Sequence, residues 1–371
     1  MNRKSTVIAC LAAAAILVPA SPAAAESKES GPDTVAEHLF SPLSLAVGPG
    51  KSILVTQNFA GTLDRVEDDK KPVNVYKRAD WDVGGVETRG STTFFVESVG
   101  AGGGDPAALK GYLKSINSRG DVRQIADLAT YERENNPDGS QHYGFGSDLP
   151  DWCLAKINVP FPPAQYTGIV DSHPYATAVQ GNTVYVADAG MNAILKVNAT
   201  TGETSTVAVL PPRPAEVTAE AAAAVGFPEC VKGYDYAFEA VPTDVEIGPD
   251  GWLYVSSLPG GPEDPSLGAR GAIFRINPWT GATHVWAKDI LSPTGIAVAG
   301  NGDVYAASMF GNEIVRIDAT SRKQSQFLEV TTPGAVEIQG RTLYATVKAL
   351  PDFMAPPPPP AVGEVIEAEL W

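Results

Sequence analysis

The chain is poor in histidine, cysteine and basic residues, and each shortage limits what the protein can do. Its 371 residues include only 4 histidines and 3 cysteines. Lysine and arginine number 27 against 43 acidic residues, a formal charge of −16. So acidic a chain is not expected to bind nucleic acid or anionic lipid. No Cys/His spacing of a zinc site, nucleophile elbow, phosphate loop or dinucleotide fingerprint is found in the sequence.

Long apolar runs are also scarce. After residue 25, no segment approaches the roughly 20 apolar residues of a transmembrane helix. The N-terminus is different, because a short basic start is followed by an apolar run over 7–18 and by small residues up to Ala25. This order predicts a cleavable signal peptide over 1–25 and a secreted, extracytoplasmic protein.

A repeat is what the sequence does contain. A strand-like segment that starts with Gly or Asn and ends with Asn, Asp or Glu recurs at 61–67, 111–117, 192–198, 271–277, 312–318 and 363–369. A second apolar strand (b) precedes each of these c strands, at 53–58, 94–99, 184–189, 253–258, 304–309 and 343–348. A third strand (a) comes before that, at 41–47, 82–88, 173–179, 241–247, 292–298 and 332–338. The alternating patterns and Gly-rich turns predict antiparallel β-structure.

A fourth strand (d) follows five of the six units, at 73–77, 122–128, 205–210, 284–290 and 324–330. The sixth unit ends at Trp371 without one. The segment TVAEHLF before the first unit matches VWAKDIL, the d strand of unit four, and can complete unit six by closing a ring. The sequence therefore predicts a single all-β domain over 26–371, a six-bladed β-propeller closed by its N-terminal strand.

The repeats resemble those of NHL-type and SMP-30/gluconolactonase-type propellers. The segments SHPYATAV, VYVADAGMNAILKV, VPTDVEIGPDGWLYV and GAIFRINPWTG resemble the ScyD/ScyE family of exported bacterial propellers, over essentially the whole mature chain. This resemblance implies the fold and export but no established activity, since the family takes its name from proteins of a pigment-pathway cluster. SMP-30-like hydrolases would be expected to carry acidic and Asn metal ligands near the strand starts. The Pro-Thr, Pro-Leu and Pro-Gly pairs found there weigh against a lactonase.

The long connections all belong to one face of such a ring, the face of the d–a and b–c loops. The longest are insertions at 131–170 and 211–240, and each carries one of the two cysteines left after cleavage, Cys153 and Cys230. An even count in an exported chain predicts a disulfide between them. A short helix is expected over Ala215–Val225. The aromatic residues of the insertions would form either a ligand pocket or a small core of their own.

Three glutamates occupy the same position in alternate a strands: Glu87, Glu246 and Glu337, where the other units have alanine. Three carboxylates around one axis repel unless they are compensated. A Ca²⁺ or Mg²⁺ ion or shared protons would compensate them. Alternatively, each glutamate forms hydrogen bonds with its own surroundings and does not meet the others.

Residues near the strand starts form a second candidate site at the channel mouth. Five a strands begin with an X-Pro pair, and this places the following residues around the opening. The candidates are His173, Tyr175, Asp188, Thr243 and Thr294. His173 has a pKa suited to general base catalysis, and Asp188 could be a cation ligand, but both are also ordinary turn residues.

These observations predict a monomeric binding or scaffold protein that uses its loop-rich face. The ligand would be an unidentified small molecule or protein. The alternative is a Ca²⁺- or Mg²⁺-dependent hydrolase or lyase of the SMP-30-like type.

Overall fold

The computed structural model describes residues 31–67, 70–263, 265–352, 354–356 and 359–370. The predicted signal peptide lies outside these residues, as does part of the proline run at 356–360. Within the described residues, no helix has both the length and the apolar character required to cross a membrane.

The described chain forms seven four-stranded antiparallel sheets, and six of them contain the predicted units. The first strand is β1 (Asp33–Leu39), and blade 1 consists of β2 (Pro42–Val47), β3 (Ile53–Gln57), β4 (Thr62–Val66) and β5 (Val73–Lys77). Blade 2 consists of β6 (Asp82–Arg89), β7 (Thr92–Val99), β8 (Lys110–Asn117) and β9 (Val122–Asp127). The first insertion contains α1 (Leu128–Asn135), β10 (His142–Phe145), α2 (Asp151–Leu154) and β11 (Gln165–Thr167).

The second half continues the pattern. Blade 3 consists of β12 (Pro174–Gln180), β13 (Thr183–Asp188), β14 (Ala193–Asn198) and β15 (Thr204–Val209). The second insertion contains β16 (Arg213–Glu216), α3 (Ala219–Val225) and β17 (Asp235–Phe238). Blade 4 consists of β18 (Pro242–Ile247), β19 (Leu253–Ser257), β20 (Gly271–Ile276) and β21 (Thr283–Ile290). Blade 5 consists of β22 (Pro293–Val298), β23 (Val304–Ser308), β24 (Glu313–Ile317) and β25 (Gln324–Glu329). Blade 6 consists of β26 (Val336–Gln339), β27 (Thr342–Val347), β28 (Gly363–Glu369) and β1.

The prediction of an all-β propeller is confirmed. The a strands are innermost and contact one another in a closed order, β2, β6, β12, β18, β22, β26 and again β2. The ring closes as predicted, because β1 pairs antiparallel with β28, from Asp33 opposite Glu367 to Leu39 opposite Gly363.

Burial explains the order of strands within a blade. The b strands β19 and β23 are buried along their whole length, whereas the outer strand β5 has no buried residue. A hydrophobic cluster fills each junction between neighbouring blades; between blades 3 and 4, for example, Ile194 and Leu210 pack with Val255 and Phe274. Each blade therefore buries its apolar faces against both neighbouring blades, and an isolated blade would expose these faces to water.

The seventh sheet, β11-β10-β17-β16, is built from the two insertions, so it does not correspond to a predicted repeat. Its strand β16 corrects the predicted helix over Ala215–Val225. Ala215 pairs with Tyr236 in the sheet, and the helix begins only after Thr218, whose side chain accepts a hydrogen bond from Ala221 N at 3.1 Å. The Thr218 side-chain cap sets this later start.

The predicted a strand of unit six also needs correction, since β26 covers Val336–Gln339 rather than 332–338. Thr332 has a φ of 36°, and Gly334 and Ala335 contact Thr346 through irregular hydrogen bonds. The Thr346 hydroxyl accepts the Ala335 N–H at 2.9 Å, so this amide is not available for regular strand pairing before Val336.

Candidate functional site

The axial glutamates occupy equivalent positions in the sheets. Glu87, Glu246 and Glu337 pair with Phe94, Tyr254 and Tyr344 of the adjacent b strands. Their alanine counterparts Ala46, Ala178 and Ala297 pair with Leu54, Tyr185 and Tyr305 in the same way. A carboxylate oxygen from each glutamate lies within 4.8 Å of one from each of the others. We call these three residues the axial triad.

The axial triad lies near the a–b turns, on the side of the ring away from the loop-rich face. Each glutamate precedes the tight a–b turn of its blade by one to three residues, for example Glu246-Ile247 before Gly248. Glu337 accepts a hydrogen bond from Ile338 N at 3.0 Å, and Glu87 accepts one from Thr88 N. Each of these bonds uses one oxygen of its carboxyl group.

Burial raises the pKa of all three carboxyl groups, and the charges of neighbouring carboxylates add to the rise. Burial is the main cause at each residue, and it raises the pKa of Glu87 to about 7. The pKa of Glu246 is raised well above its ordinary value by burial and then by the charges of Glu337, Asp244 and Glu87. The pKa of Glu337 is raised by burial and by Glu87. The raised pKa values favour the protonated carboxyl groups unless a cation compensates the charge.

A narrow cavity connects the axial triad to the mouth. It has a volume of about 20 Å³ and is lined by Tyr175, Thr243 and Thr294 near the loop-rich face and by Glu246 and Glu337 at the far end. A single water needs roughly 10–15 Å³ of such volume. The cavity can therefore hold an ion or one or two waters, but a sugar-sized substrate does not fit.

The two candidate threonines of the mouth hold neighbouring blades together. Thr243 donates to or accepts from Ser256 Oγ and bonds Pro293 O of blade 5, both at 2.9 Å. Thr294 Oγ1 lies 3.3 Å from Pro333 O of blade 6. Thr243 and Thr294 are only 6% and 5% exposed. Their predicted role in ligand binding stays a prediction, but their hydroxyl groups already have partners in the protein.

His173 is oriented by a carboxylate that the sequence did not suggest. Its Nε2 lies 2.8 Å from Asp82 Oδ2, and its ring packs edge-on against Tyr175 at 5.6 Å between centroids. Burial lowers the pKa of His173, but the hydrogen bond and charge of Asp82 outweigh it, and the net pKa is raised. Burial also raises the pKa of Tyr175. The ring of His173 thus lies between the Asp82 carboxylate and Tyr175, a residue that lines the cavity.

Asp188 serves as a backbone anchor at the start of blade 3. Its carboxylate accepts hydrogen bonds from His173 N at 2.8 Å, Ser172 Oγ at 2.8 Å and Met191 N at 3.1 Å. Burial raises the pKa of Asp188 to about 6 in spite of these bonds. This geometry fits the turn interpretation of Asp188, since its oxygens are occupied by protein donors.

Sequence reasoning missed Asp82 and Asp244. Asp82 pairs with Ser98 at the position where β18 and β22 have a proline. Unit two is the only unit whose a strand lacks this proline, and this difference could have drawn attention to Asp82. Asp244 accepts hydrogen bonds from Ile296 N at 2.7 Å and Val245 N at 2.8 Å. Burial raises the pKa of Asp244 to about 7. It adds a fourth carboxyl group to the channel.

The two insertions on the loop-rich face are joined by a shared sheet and by a disulfide bond. Cys153 and Cys230 are disulfide-bonded, with a Cα–Cα distance of 5.9 Å, as predicted. Such bonds are typical of proteins outside the cytoplasm. Most aromatic residues of the insertions pack into a core of their own around this bond, including Phe145, Phe227 and Tyr236. Trp152 and Phe161 are different, with exposed fractions of 59% and 80%.

No protein-family model matches the chain, and no curated protein matches it. Solved structures that are similar to the chain are found. The PQQ-bound aldose sugar dehydrogenase of Streptomyces coelicolor is 15% identical with a TM-score of 0.51, over 91% of this chain and 96% of that one. A glucose dehydrogenase is 12% identical with a TM-score of 0.52, over 92% and 100%. A protein of unknown function from Bacteroides thetaiotaomicron is 11% identical with a TM-score of 0.54, over 91% and 73%. The structural neighbours are β-propeller proteins, and at these identities the similarity shows the fold alone.

Proposed function

We propose that the chain is an exported, monomeric binding or scaffold propeller of the ScyD/ScyE type, which binds an apolar or aromatic ligand on its loop-rich face. One observation carries this proposal. Ten large apolar side chains of the described residues are exposed, and six of them lie on the d–a and b–c connections. These six are Phe59, Trp152, Phe161, Ile169, Met354 and Val362. Exposed apolar side chains that are concentrated on one face favour an interaction surface.

The construction of this face supports the same proposal. The disulfide closes a loop with a sequence separation of 77 residues, and the seventh sheet joins both insertions. A surface that is ordered in advance loses less conformational entropy when a ligand binds. Trp152 lies in α2 beside the disulfide residue Cys153, so it can act as a fixed aromatic contact.

Binding of the neutral naphthalene dye prodan tests the proposal. The double variant Trp152→Ala/Phe161→Ala removes two exposed aromatic rings from the loop-rich face. Trp279→Ala is the matched control, because Trp279 is 74% exposed on the c–d turn of blade 4, at the opposite face. We expect the double variant to weaken prodan binding at least tenfold and the control to leave it unchanged. Equal affinities for all three proteins would contradict the proposal.

Export has its own test. The signal-peptide pattern and the disulfide both favour an oxidising compartment. N-terminal sequencing of the mature protein should begin at Glu26. A mature chain that begins at Met1 would remove this part of the proposal.

The axial triad favours a second candidate, the Ca²⁺- or Mg²⁺-dependent hydrolase or lyase. Ca²⁺ at about 2.3–2.6 Å from three coplanar oxygens places those oxygens roughly 4.0–4.5 Å apart, a separation that the 4.8 Å limit allows. The small cavity limits this candidate from the loop-rich side, because a sugar-sized substrate cannot pass through it to an ion between the glutamates. Metal analysis of the pure protein before and after chelation, with Glu246→Gln as the variant, tests whether the triad holds an ion at all.

A further inference from the structure

Three buried side-chain oxygens without a hydrogen-bond partner occur within seven residues, where the first insertion leaves α1. They are Glu132 Oε2, Asn136 Oδ1 and Asp138 Oδ1. Glu132 is 0% exposed and Asp138 is 1% exposed. Buried polar atoms in folded proteins almost always have a partner, so unpaired oxygens that cluster in one turn require an explanation.

The other oxygens of the two carboxyl groups are bound by the protein. Glu132 Oε1 accepts a hydrogen bond from Asp171 N at 3.2 Å. Asp138 Oδ2 accepts hydrogen bonds from Tyr143 OH at 3.0 Å and Asn192 Nδ2 at 2.9 Å. Each carboxyl group is therefore fixed through one oxygen, and its second oxygen faces no donor of the described protein.

Local geometry holds the turn tightly. Asn136 ends α1 with a φ of 38°, and this left-handed residue turns the chain back toward Asp138. The Asn136 amide donates to Gly168 O at 3.3 Å. A Cβ at Gly168 would stand 2.2 Å from Asp138 Oδ1, so only glycine leaves room for that oxygen. Gly168 thus lies against the unpaired oxygen of Asp138 and binds the amide of Asn136.

No basic side chain neutralises this cluster in the described residues. None of their ion pairs includes Glu132 or Asp138. The nearby Arg133 points its guanidinium to Leu109 O and Thr130 Oγ1. Burial raises the pKa of Glu132 to about 8, and the charges of Asp188, Asp138 and Asp171 contribute to the rise. Two acidic groups in a buried site demand a compensating charge or proton.

We propose that Glu132, Asn136 and Asp138 bind a divalent cation of the Ca²⁺ type. Carboxylate and amide oxygens are the ligands that Ca²⁺ prefers, and it completes its six to eight positions with backbone carbonyls and water. The site is distinct from the axial triad and does not depend on the proposed ligand of the loop-rich face. It joins α1 to β10 through Tyr143 and to blade 3 through Asn192, so a bound cation fixes the first insertion on the propeller.

Terbium luminescence tests this site directly. Tb³⁺ occupies Ca²⁺ sites, and a tyrosine next to the ion transfers its excitation energy to it. Tyr143 OH contacts Asp138, so excitation of tyrosine should give Tb³⁺ emission that Ca²⁺ displaces. We expect Glu132→Gln and Asp138→Asn each to reduce this emission at least tenfold at a fixed Tb³⁺ concentration. Tyr143→Phe should reduce the emission but leave the Ca²⁺ affinity within threefold.

The control variant is Glu246→Gln, which alters the axial triad and leaves the cluster intact. It should retain the emission. No Tb³⁺ emission from the folded wild-type protein would overturn the proposal, as would full emission from both cluster variants. Loss of emission in Glu246→Gln alone would assign the ion to the axial channel and would also overturn it. Glu132→Gln preserves the size of the side chain, and its far-UV circular dichroism and melt should match the wild type in chelator.

Discussion

Replacing Glu246 by glutamine should stabilise the metal-free protein at alkaline pH and have little effect at acidic pH. Two unit charges within 4.8 Å of each other repel by at least about 3.5 kcal/mol at an effective dielectric constant of about 20. This repulsion exists only when the carboxyl groups are ionised. Glutamine is nearly the same size as glutamate but carries no charge, so it removes the repulsion of residue 246 with Glu87 and Glu337 without creating a cavity, and only the Glu87–Glu337 repulsion remains.

The raised pKa values determine the direction in which the stability of the protein changes with pH. A carboxyl group with a raised folded-state pKa is stabilising below its unfolded pKa, and this contribution is lost as pH rises through the folded pKa. For Glu87 the window runs from the ordinary value of 4.5 to about 7, and for Glu246 and Glu337 it extends higher. The wild-type protein should therefore lose stability in chelator as pH rises through this window.

Urea unfolding in chelator at pH 4.0 and pH 8.5 measures the effect. We expect Glu246→Gln to equal the wild type within about 0.5 kcal/mol at pH 4.0, below the ordinary pKa of glutamate, and to exceed it by about 2–3 kcal/mol at pH 8.5. The exposed Glu203→Gln is the control and should show no such difference. A variant that is no more stable than the wild type at pH 8.5 would refute the reasoning. If Ca²⁺ binds the triad, adding Ca²⁺ at pH 8.5 should make the wild type more stable than Glu246→Gln.

The remaining predictions concern His173 and the disulfide between Cys153 and Cys230. In an NMR titration, His173 should have a pKa above 6.5, and Asp82→Asn should lower it, because the hydrogen bond and charge of Asp82 are the largest of the contributions that raise it against burial; an unchanged pKa in the variant would contradict the role of Asp82. Replacing both Cys153 and Cys230 by serine should cost up to about 4 kcal/mol by the chain-entropy model and should speed proteolysis within the insertions rather than within the blades. Equal cleavage rates would show that the core of the insertions orders them without the bond.

The blades could be predicted from the sequence because each one repeats the same pattern of turn residues and buried strands. The displaced strand at 34–40 was informative for the same reason, since only ring closure explains it. The insertions do not repeat. Their strands contain three or four residues, for example Gln165–Thr167, and such short segments are stabilised by the disulfide and a local core rather than by a periodic pattern. Helix α1 was missed because its apolar residues are few.

The axial triad could be predicted because equivalent positions in the repeated a strands lie at the same height around the central axis. The unpaired oxygens of Glu132 and Asp138 could not, since their isolation depends on what surrounds the turn after folding. The same limit applies to Asp82, whose importance lies in its 2.8 Å contact with a histidine 91 residues away.

The measurement that tests the central claim most directly is energy transfer from tryptophan to bound prodan. Trp152 and Trp279 lie on opposite faces of the propeller and are both exposed. If the ligand binds on the loop-rich face, Trp152→Phe should remove most of the transfer and Trp279→Phe should retain it. Transfer that disappears with Trp279→Phe and persists with Trp152→Phe would place binding on the opposite face and contradict the account.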